Sequence, residues 1–333
     1  MSYNPILIVA GEPNSIFLEI FFKTLRKIKI KRPLILIASN ELIRLQMKKL
    51  KFKKKIKILG DKEYLSSNLN NKSINLINVN YKTNAAFGKI SSKSNDYIKN
   101  CFEMAFKIIK ETNINSLITG PISKKTFLNK KYLGLTEYIS KKFKIKKNAM
   151  LIYNEKLSVC PLTTHLPLKY VSKKISKNLL IEKVKLIDDF YKKKFKISPK
   201  IAVLGLNPHC ESIDKFNEDE KIIKPSIKYL QKINYKVSGP YPADTIFLKD
   251  NVNKFNVVLG MYHDQVLTSM KALFEYDAIN ITLGLPFIRI SPDHGPNEKM
   301  LGKNISNPLS LIRAISFLEK YWLEQKKVWV RIS

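Results

Sequence analysis

The chain has 333 residues, and 60 Lys and Arg stand against 27 Asp and Glu, for a net charge of +33. Its 44% hydrophobic content is that of a globular protein, which excludes intrinsic disorder as the main state. Three cysteines exclude a disulfide-built scaffold, and 11 Gly with 15 Pro exclude collagen-like and low-complexity classes.

The length suits about two domains of roughly 150 residues. Strand-like apolar runs appear at Ile6–Ala10, Leu34–Ala38, Ile56–Leu59, Leu76–Val79, Leu117–Thr119, Met150–Tyr153, Val159–Leu162, Ile201–Leu206, Val257–Met261 and Ile279–Leu283. Between them lie helix-like stretches. Tyr97 to Glu111 sets Ile98, Phe102, Ala105, Phe106 and Ile109 on one face. Leu179 to Phe195 and Glu218 to Ile233 read the same way. Ser306-Asn307-Pro308 opens a last helix to about Glu324, with Leu311, Ile315, Leu318 and Trp322 on its apolar face. Alternating strands and helices predict an α/β fold with a largely parallel sheet. The short step from Ile152-Tyr153 to Val159-Cys160 predicts an antiparallel hairpin.

No run reaches the length of a secretory signal or of a spanning helix. With Cys101, Cys160 and Cys210 far apart, the expectation is a cytoplasmic protein with reduced thiols and no membrane partner. A strongly basic chain invites a nucleic-acid partner, but only six of the cations are Arg. Forked contacts to phosphate and bases favour Arg. Lys spread over the whole chain together with many Ile and Asn matches an A/T-rich coding bias, which weighs against nucleic acid. A positive surface still attracts small anionic substrates.

Chemistry concentrates around the four histidines. Three follow strand-like runs: Thr163-Thr164-His165-Leu166-Pro167, Gly205-Leu206-Asn207-Pro208-His209 and Gly260-Met261-Tyr262-His263-Asp264-Gln265. Ligands of open α/β sheets bind at the carboxyl ends of strands, and neutral imidazoles suit a divalent metal. Each histidine alone also suits a structural hydrogen bond. Asp244, in Gly239-Pro240-Tyr241-Pro242-Ala243-Asp244-Thr245, suits either a helix N-cap or proton transfer. Asp264 can orient His263. Lys271, Asn280 and Arg289 form a polar set, and the Arg289 guanidinium suits a carboxylate or phosphate. The loop from Ser291-Pro292-Asp293-His294-Gly295 to Gly302-Lys303-Asn304 can bring backbone close to a flat ring or a phosphate. There is no G-x-G-x-x-G after a strand and no Walker-type loop.

These residues resemble the 4-hydroxythreonine-4-phosphate dehydrogenase family of pyridoxal phosphate biosynthesis. The resemblance runs nearly end to end. It rests on Gly11-Glu12-Pro13 with Glu19, Thr119-Gly120-Pro121-Ile122-Ser123-Lys124, Thr136-Glu137-Tyr138, Thr164-His165-Leu166-Pro167-Leu168 and Gly205-Leu206-Asn207-Pro208-His209. Gly239 to Thr245, Met261 to Gln265, Asn280 to Arg289 and Asp293-His294-Gly295 complete it.

The resemblance implies a fold like isocitrate and isopropylmalate dehydrogenases: two α/β domains with an interdomain active-site cleft. Residues 1–125 with 296–333 would form one domain, and 126–295 the other, carrying metal ligands and dimer contacts. It implies a homodimer with a shared active site and a small phosphorylated hydroxy acid as substrate. It implies oxidation by NAD or NADP, then decarboxylation. It implies a divalent metal (zinc, magnesium or cobalt) on His165, His209 and His263, with His263 coming from the partner subunit. Substrate would meet Thr136, Lys271, Asn280 and Arg289; beside the resemblance, Lys271 and Asp244 are the catalytic candidates. The cofactor would meet His294, Gly295, Gly302 and Asn304. Three departures stand out. The first loop is Asn14-Ser15-Ile16-Phe17-Leu18 where the family is Gly-rich. Leu135 stands where the family usually has His. Pro296-Asn297 replaces small residues and Thr. Leu135 leaves room for a different substrate, a 4-phosphorylated erythronate- or threonate-type acid.

Overall fold

The computed structural model describes residues 4–129 and 131–330, and the side chains up to residue 320. Trp322, expected on an apolar helix face, lies outside the described side chains. Two compact units emerge: Met1–Leu135 with Pro286–Ser333, and Thr136–Leu285. Their junctions fall ten residues from those expected at 125/126 and 295/296.

The first stretch lays down β1 (Ile6–Val9), α1 (Phe17–Lys27), β2 (Leu34–Ala38), α2 (Asn40–Lys49), β3 (Ile56–Ile58), β4 (Ile74–Asn78), α3 (Asn95–Glu111) and β5 (Ser116–Thr119). The middle stretch follows with α4 (Leu135–Lys142), β6 (Ala149–Tyr153), β7 (Ser158–Thr163), α5 (Val171–Lys174), α6 (Lys177–Phe195), β8 (Ile201–Leu204), α7 (Lys224–Lys232), β9 (Val237–Tyr241), α8 (Lys249–Val252), β10 (Val257–Tyr262), α9 (His263–Phe274) and β11 (Ile279–Leu283). The chain then returns with β12 (Ile288–Pro292) and α10 (Leu309–Val330).

In the first unit the strands run β3-β4-β2-β1-β5-β12, every pair parallel. β1, β2 and β5 are buried throughout, as apolar runs covered on both faces must be. α3 packs on β1 and β2 and buries Ile98, Phe102, Ala105 and Phe106. Ile108 is buried on this helix, whereas Ile109 is only half-buried.

The second unit is mixed, in the order β11-β6-β7-β10-β8-β9. β6 pairs antiparallel with β7 through Ile152 and Val159, the hairpin expected from the short connection. β11 is also antiparallel to β6, while β7, β10, β8 and β9 run parallel. Ser176 starts α6 by accepting the Leu179 N–H at 3.3 Å, and Lys196 ends it in the left-handed conformation. The helix expected over Glu218–Ile233 is divided: a π-helical turn, Asp219–Ile223, precedes α7. β9 and β12 have no counterpart among the expected strands. β9 holds Gly239-Pro240, residues that weaken a strand pattern, and Arg289 interrupts the apolar run of β12.

All three cysteines are buried free thiols. Among the described residues no helix is long and apolar enough to cross a membrane.

Candidate functional site

Three strand ends meet in the second unit. β7, β10 and β8 are neighbours and parallel, so their carboxyl ends open on one edge. His165 stands two residues beyond β7, and His263 directly follows β10. Thr163 and Tyr262 are register partners, so the two histidines leave the sheet side by side. Their ring centroids are 5.6 Å apart. The resemblance implies that His263 serves a site shared with a partner subunit; within one chain the parallel pairing sets its ring beside His165.

His263 Nδ1 lies 2.6 Å from Asp264 Oδ1. With the Nδ1 proton donated to that carboxylate, Nε2 keeps the lone pair a cation would take. His209 lies beyond the end of β8, exposed, with φ 55°. The donor set is neutral imidazole on three adjacent strand ends, which fits a divalent cation in chemical type. Among the described residues of one chain, no group of three or more His, Cys, Asp or Glu closes into a metal cluster. One chain therefore presents a histidine pair, with the third histidine on the neighbouring strand end.

The start of α4 ties this edge to β11. Glu137 Oε1 accepts the Thr164 hydroxyl at 3.3 Å, one residue before His165. Thr136 is 5% exposed, and its Oγ1 lies 3.5 Å from Thr282 Oγ1 on β11. Asn280 lies two residues earlier on β11, on the same face as Thr282. Its Oδ1 is buried with no hydrogen-bond partner, as is Glu137 Oε2. Buried polar atoms are rarely left so, and a polar ligand would satisfy them. Glu137 and Thr282 were not singled out from sequence. Both lay inside motifs, Thr136-Glu137-Tyr138 and Asn280 to Arg289, but only the fold brings Thr282 to Thr136.

Asp244 caps no helix: it is exposed in a turn, and α8 begins only at Lys249, behind Leu248. Its charge is close enough to help raise the Cys210 thiol, after burial and the Asp219 charge, which places it near the His209 loop. Lys271 is exposed on α9, its ammonium turned over the Tyr276 ring at 5.7 Å. Leu135 is half-buried and begins α4, directly before Thr136.

The remaining candidates belong to the first unit. Arg289 is 2% exposed on β12, and its Nε and Nη2 donate to Thr119 Oγ1 at 3.1 and 2.8 Å. The His294 ring packs 6.2 Å from Phe17, and Ile16 N donates to Pro296 O at 3.1 Å. A Cβ on Gly295 would meet nothing within 4 Å, so that backbone is open to approach. Gly302 has φ +74°, and the Phe87 ring lies 2.9 Å from where its Cβ would be. Asn304 is anchored through Lys23, whose Nζ donates to Asn304 O, Ser306 O and Glu19 Oε1, each at 2.9 Å. Lys23 had no sequence signal; the loop returns to α1 only in the folded chain. The bulky first loop is also accounted for. Asn14 to Leu18 are buried, and none has a positive φ, so this backbone needs no glycine. Asn14 uses its side chain to accept from Gly88 N and donate to Lys89 O.

Comparison with known proteins adds the family. A model described as pyridoxal phosphate biosynthetic protein PdxA matches residues 29–318. The 4-hydroxythreonine-4-phosphate dehydrogenase of Sulfurihydrogenibium sp. (strain YO3AOP1) is 39% identical over 315 residues, 93% of this chain and 96% of its own. A D-threonate 4-phosphate dehydrogenase of Pectobacterium atrosepticum is 32% identical over 211 residues, 62% of this chain and 65% of its own. The crystal structure of a Klebsiella pneumoniae 4-hydroxythreonine-4-phosphate dehydrogenase has a TM-score of 0.82 at 25% identity, covering 96% of this chain and 99% of that one. At the level of fold alone, an isocitrate dehydrogenase from Methylococcus capsulatus has a TM-score of 0.50 at 10% identity, covering 96% of this chain and 86% of that one. Matches over this much of the chain, on this mixed α/β fold, make it a member of the pyridoxal phosphate biosynthetic protein PdxA family and, with it, an oxidoreductase.

Proposed function

We propose that the chain oxidises 4-phosphooxy-L-threonine with NAD or NADP, assisted by a divalent cation, and decarboxylates the product to 3-amino-2-oxopropyl phosphate in pyridoxal phosphate biosynthesis. The observation that carries this reading is the pair His165 and His263, 5.6 Å apart at paired strand ends, with His209 on the adjacent end.

In this reading His165, His209 and His263 hold the cation (zinc, magnesium or cobalt), and a second copy of the chain in a cytoplasmic homodimer completes what one chain leaves short. A bound cation supplies Lewis acidity at the substrate hydroxyl and then at the ketone, while the nicotinamide ring supplies the hydride acceptor. Asp264 keeps the His263 ring in one tautomer. Thr136 and Asn280 offer polar groups that orient the substrate, the Asn280 Oδ1 taking a donor from it. Lys271 and Arg289 take the substrate's anionic groups, with Lys271 and Asp244 as the catalytic candidates for moving protons. His294, Gly295, Gly302 and Asn304 receive the dinucleotide, where the open Gly295 backbone suits close approach.

Leu135 supports a second reading, in which the substrate is a 4-phosphorylated threonate or erythronate. It puts an apolar side chain directly before Thr136, and a 32%-identical relative is named for D-threonate 4-phosphate. NADH formation by purified protein, with and without chelator, separates the two. Chelator-sensitive turnover of 4-phosphooxy-L-threonine supports the first. Turnover of the erythronate or threonate phosphates alone replaces it with the second.

A further inference from the structure

His209 and the next residue, Cys210, both have a positive φ, 55° and 62°. Two successive L residues hold that conformation only when their surroundings impose it. The surroundings are a buried polar network. Asp219 is 0% exposed. Its Oδ1 accepts Leu206 N at 2.8 Å, and its Oδ2 accepts Asn207 N at 3.2 Å and Asn207 Nδ2 at 2.9 Å. Backbone donors thus meet the carboxylate charge, and both oxygens are used within the chain. Asp219 opens the π-helical turn, a geometry frequent at functional sites. Gly205 makes the approach possible: a Cβ there would lie 2.7 Å from Cys210 Sγ and 2.8 Å from Asp219 Oδ1.

The same loop is tied to the neighbouring strand end. Gln265, two residues beyond His263, accepts Met261 N at 2.6 Å and donates to Gly205 O at 2.8 Å. One amide therefore spans from the end of β10 to the end of β8, linking the segments that carry His263 and His209.

We propose that Asp219 and Gln265 are positioning residues: they fix the His209 loop against the strand end of His263 and so set the affinity of the histidine cluster for a divalent cation. The proposal rests on the cation reading above. Neither residue serves as a ligand in it.

The test is Co2+ affinity, by competition with a chelating indicator, together with the visible Co2+ spectrum. Wild type is compared with Asp219→Asn, Gln265→Leu and His209→Ala, and each apoprotein is checked by thermal unfolding. Gln265→Leu is the milder change and stands in should Asp219→Asn fold poorly. The expected result is folded protein that binds Co2+ about 10- to 100-fold more weakly, with an altered spectrum. Lower thermal stability with unchanged Co2+ affinity and spectrum overturns the positioning role; if His209→Ala still weakens binding, the cation reading survives. Unchanged affinity in His209→Ala overturns both.

Discussion

Two regions use buried polar groups in opposite ways: the surroundings of Arg32 in the first unit, and Glu137 with Asn280 in the second. Around Arg32 they are consumed by the fold. Arg32 is 2% exposed, with its guanidinium on Asn4 O, Leu318 O, Pro5 O and Ser116 Oγ. Burial lowers its pKa to about 10, and the Glu319 charge partly offsets this. Nearby, Lys23 Nζ donates to Asn304 O, and Glu19 Oε1 accepts from Ser306 N. In the second unit, Asn280 Oδ1 on β11 and Glu137 Oε2 on α4 are buried with no hydrogen-bond partner. A satisfied buried group stabilises the fold, and an unsatisfied one costs stability unless a ligand completes it. The difference separates a structural network from a candidate site within one chain.

The largest effect should come from the scaffold. Phe102→Ala empties a fully buried position on α3 and should cost about 3–5 kcal/mol in denaturant unfolding. A loss below 1 kcal/mol would break the view of that face as close-packed core. Next, His263→Ala should lower divalent-cation affinity on the order of 100-fold, read by chelator competition, with little change in thermal stability. A large loss of stability in the apoprotein would make His263 a structural residue and erase the contrast. Asn280→Ala sharpens the comparison further. It should leave stability unchanged or slightly raised, because it removes an unsatisfied buried oxygen, while raising the substrate KM roughly tenfold. Steady-state kinetics beside thermal unfolding checks both halves.

The smallest effect concerns Glu12, 2% exposed in the first unit. Burial raises its carboxyl above the usual 4.5, against the lowering effect of bonds from Asn14 N and Ser94. The folded state therefore holds the proton more tightly than the unfolded state. Its stabilising contribution is fully present below about pH 4.5 and is lost as pH rises through the raised value. Glu12→Gln should remove that fall, so variant and wild type should diverge in Tm from pH 4 to pH 7, with the variant ahead. A wild type that gains on the variant over this range would reverse the sign.

Much was legible before folding. Leu34–Ala38 and Ile279–Leu283 mark strands to the residue: the first is apolar throughout, as a strand covered on both faces is, and the second alternates apolar with polar side chains. The short step between β6 and β7 dictated an antiparallel pair, since no crossover fits there. The histidines stood out by rarity and by their place after such runs. Other features depended on neighbours distant in sequence. β9 was hidden by Gly239-Pro240, and Asp244 looked like a helix cap although its segment forms a turn.

Local sequence determined which segments become strands and helices and which of them end in a histidine, because periodicity and turn chemistry act over a few residues. Only the tertiary structure decided that β7, β10 and β8 lie side by side, so that residues 98 positions apart, His165 and His263, come together. It alone decided that Asp219 and Gln265 hold the loop of His209. Strand order and the partners of buried polar atoms arise from long-range pairing, which no local window of the sequence contains.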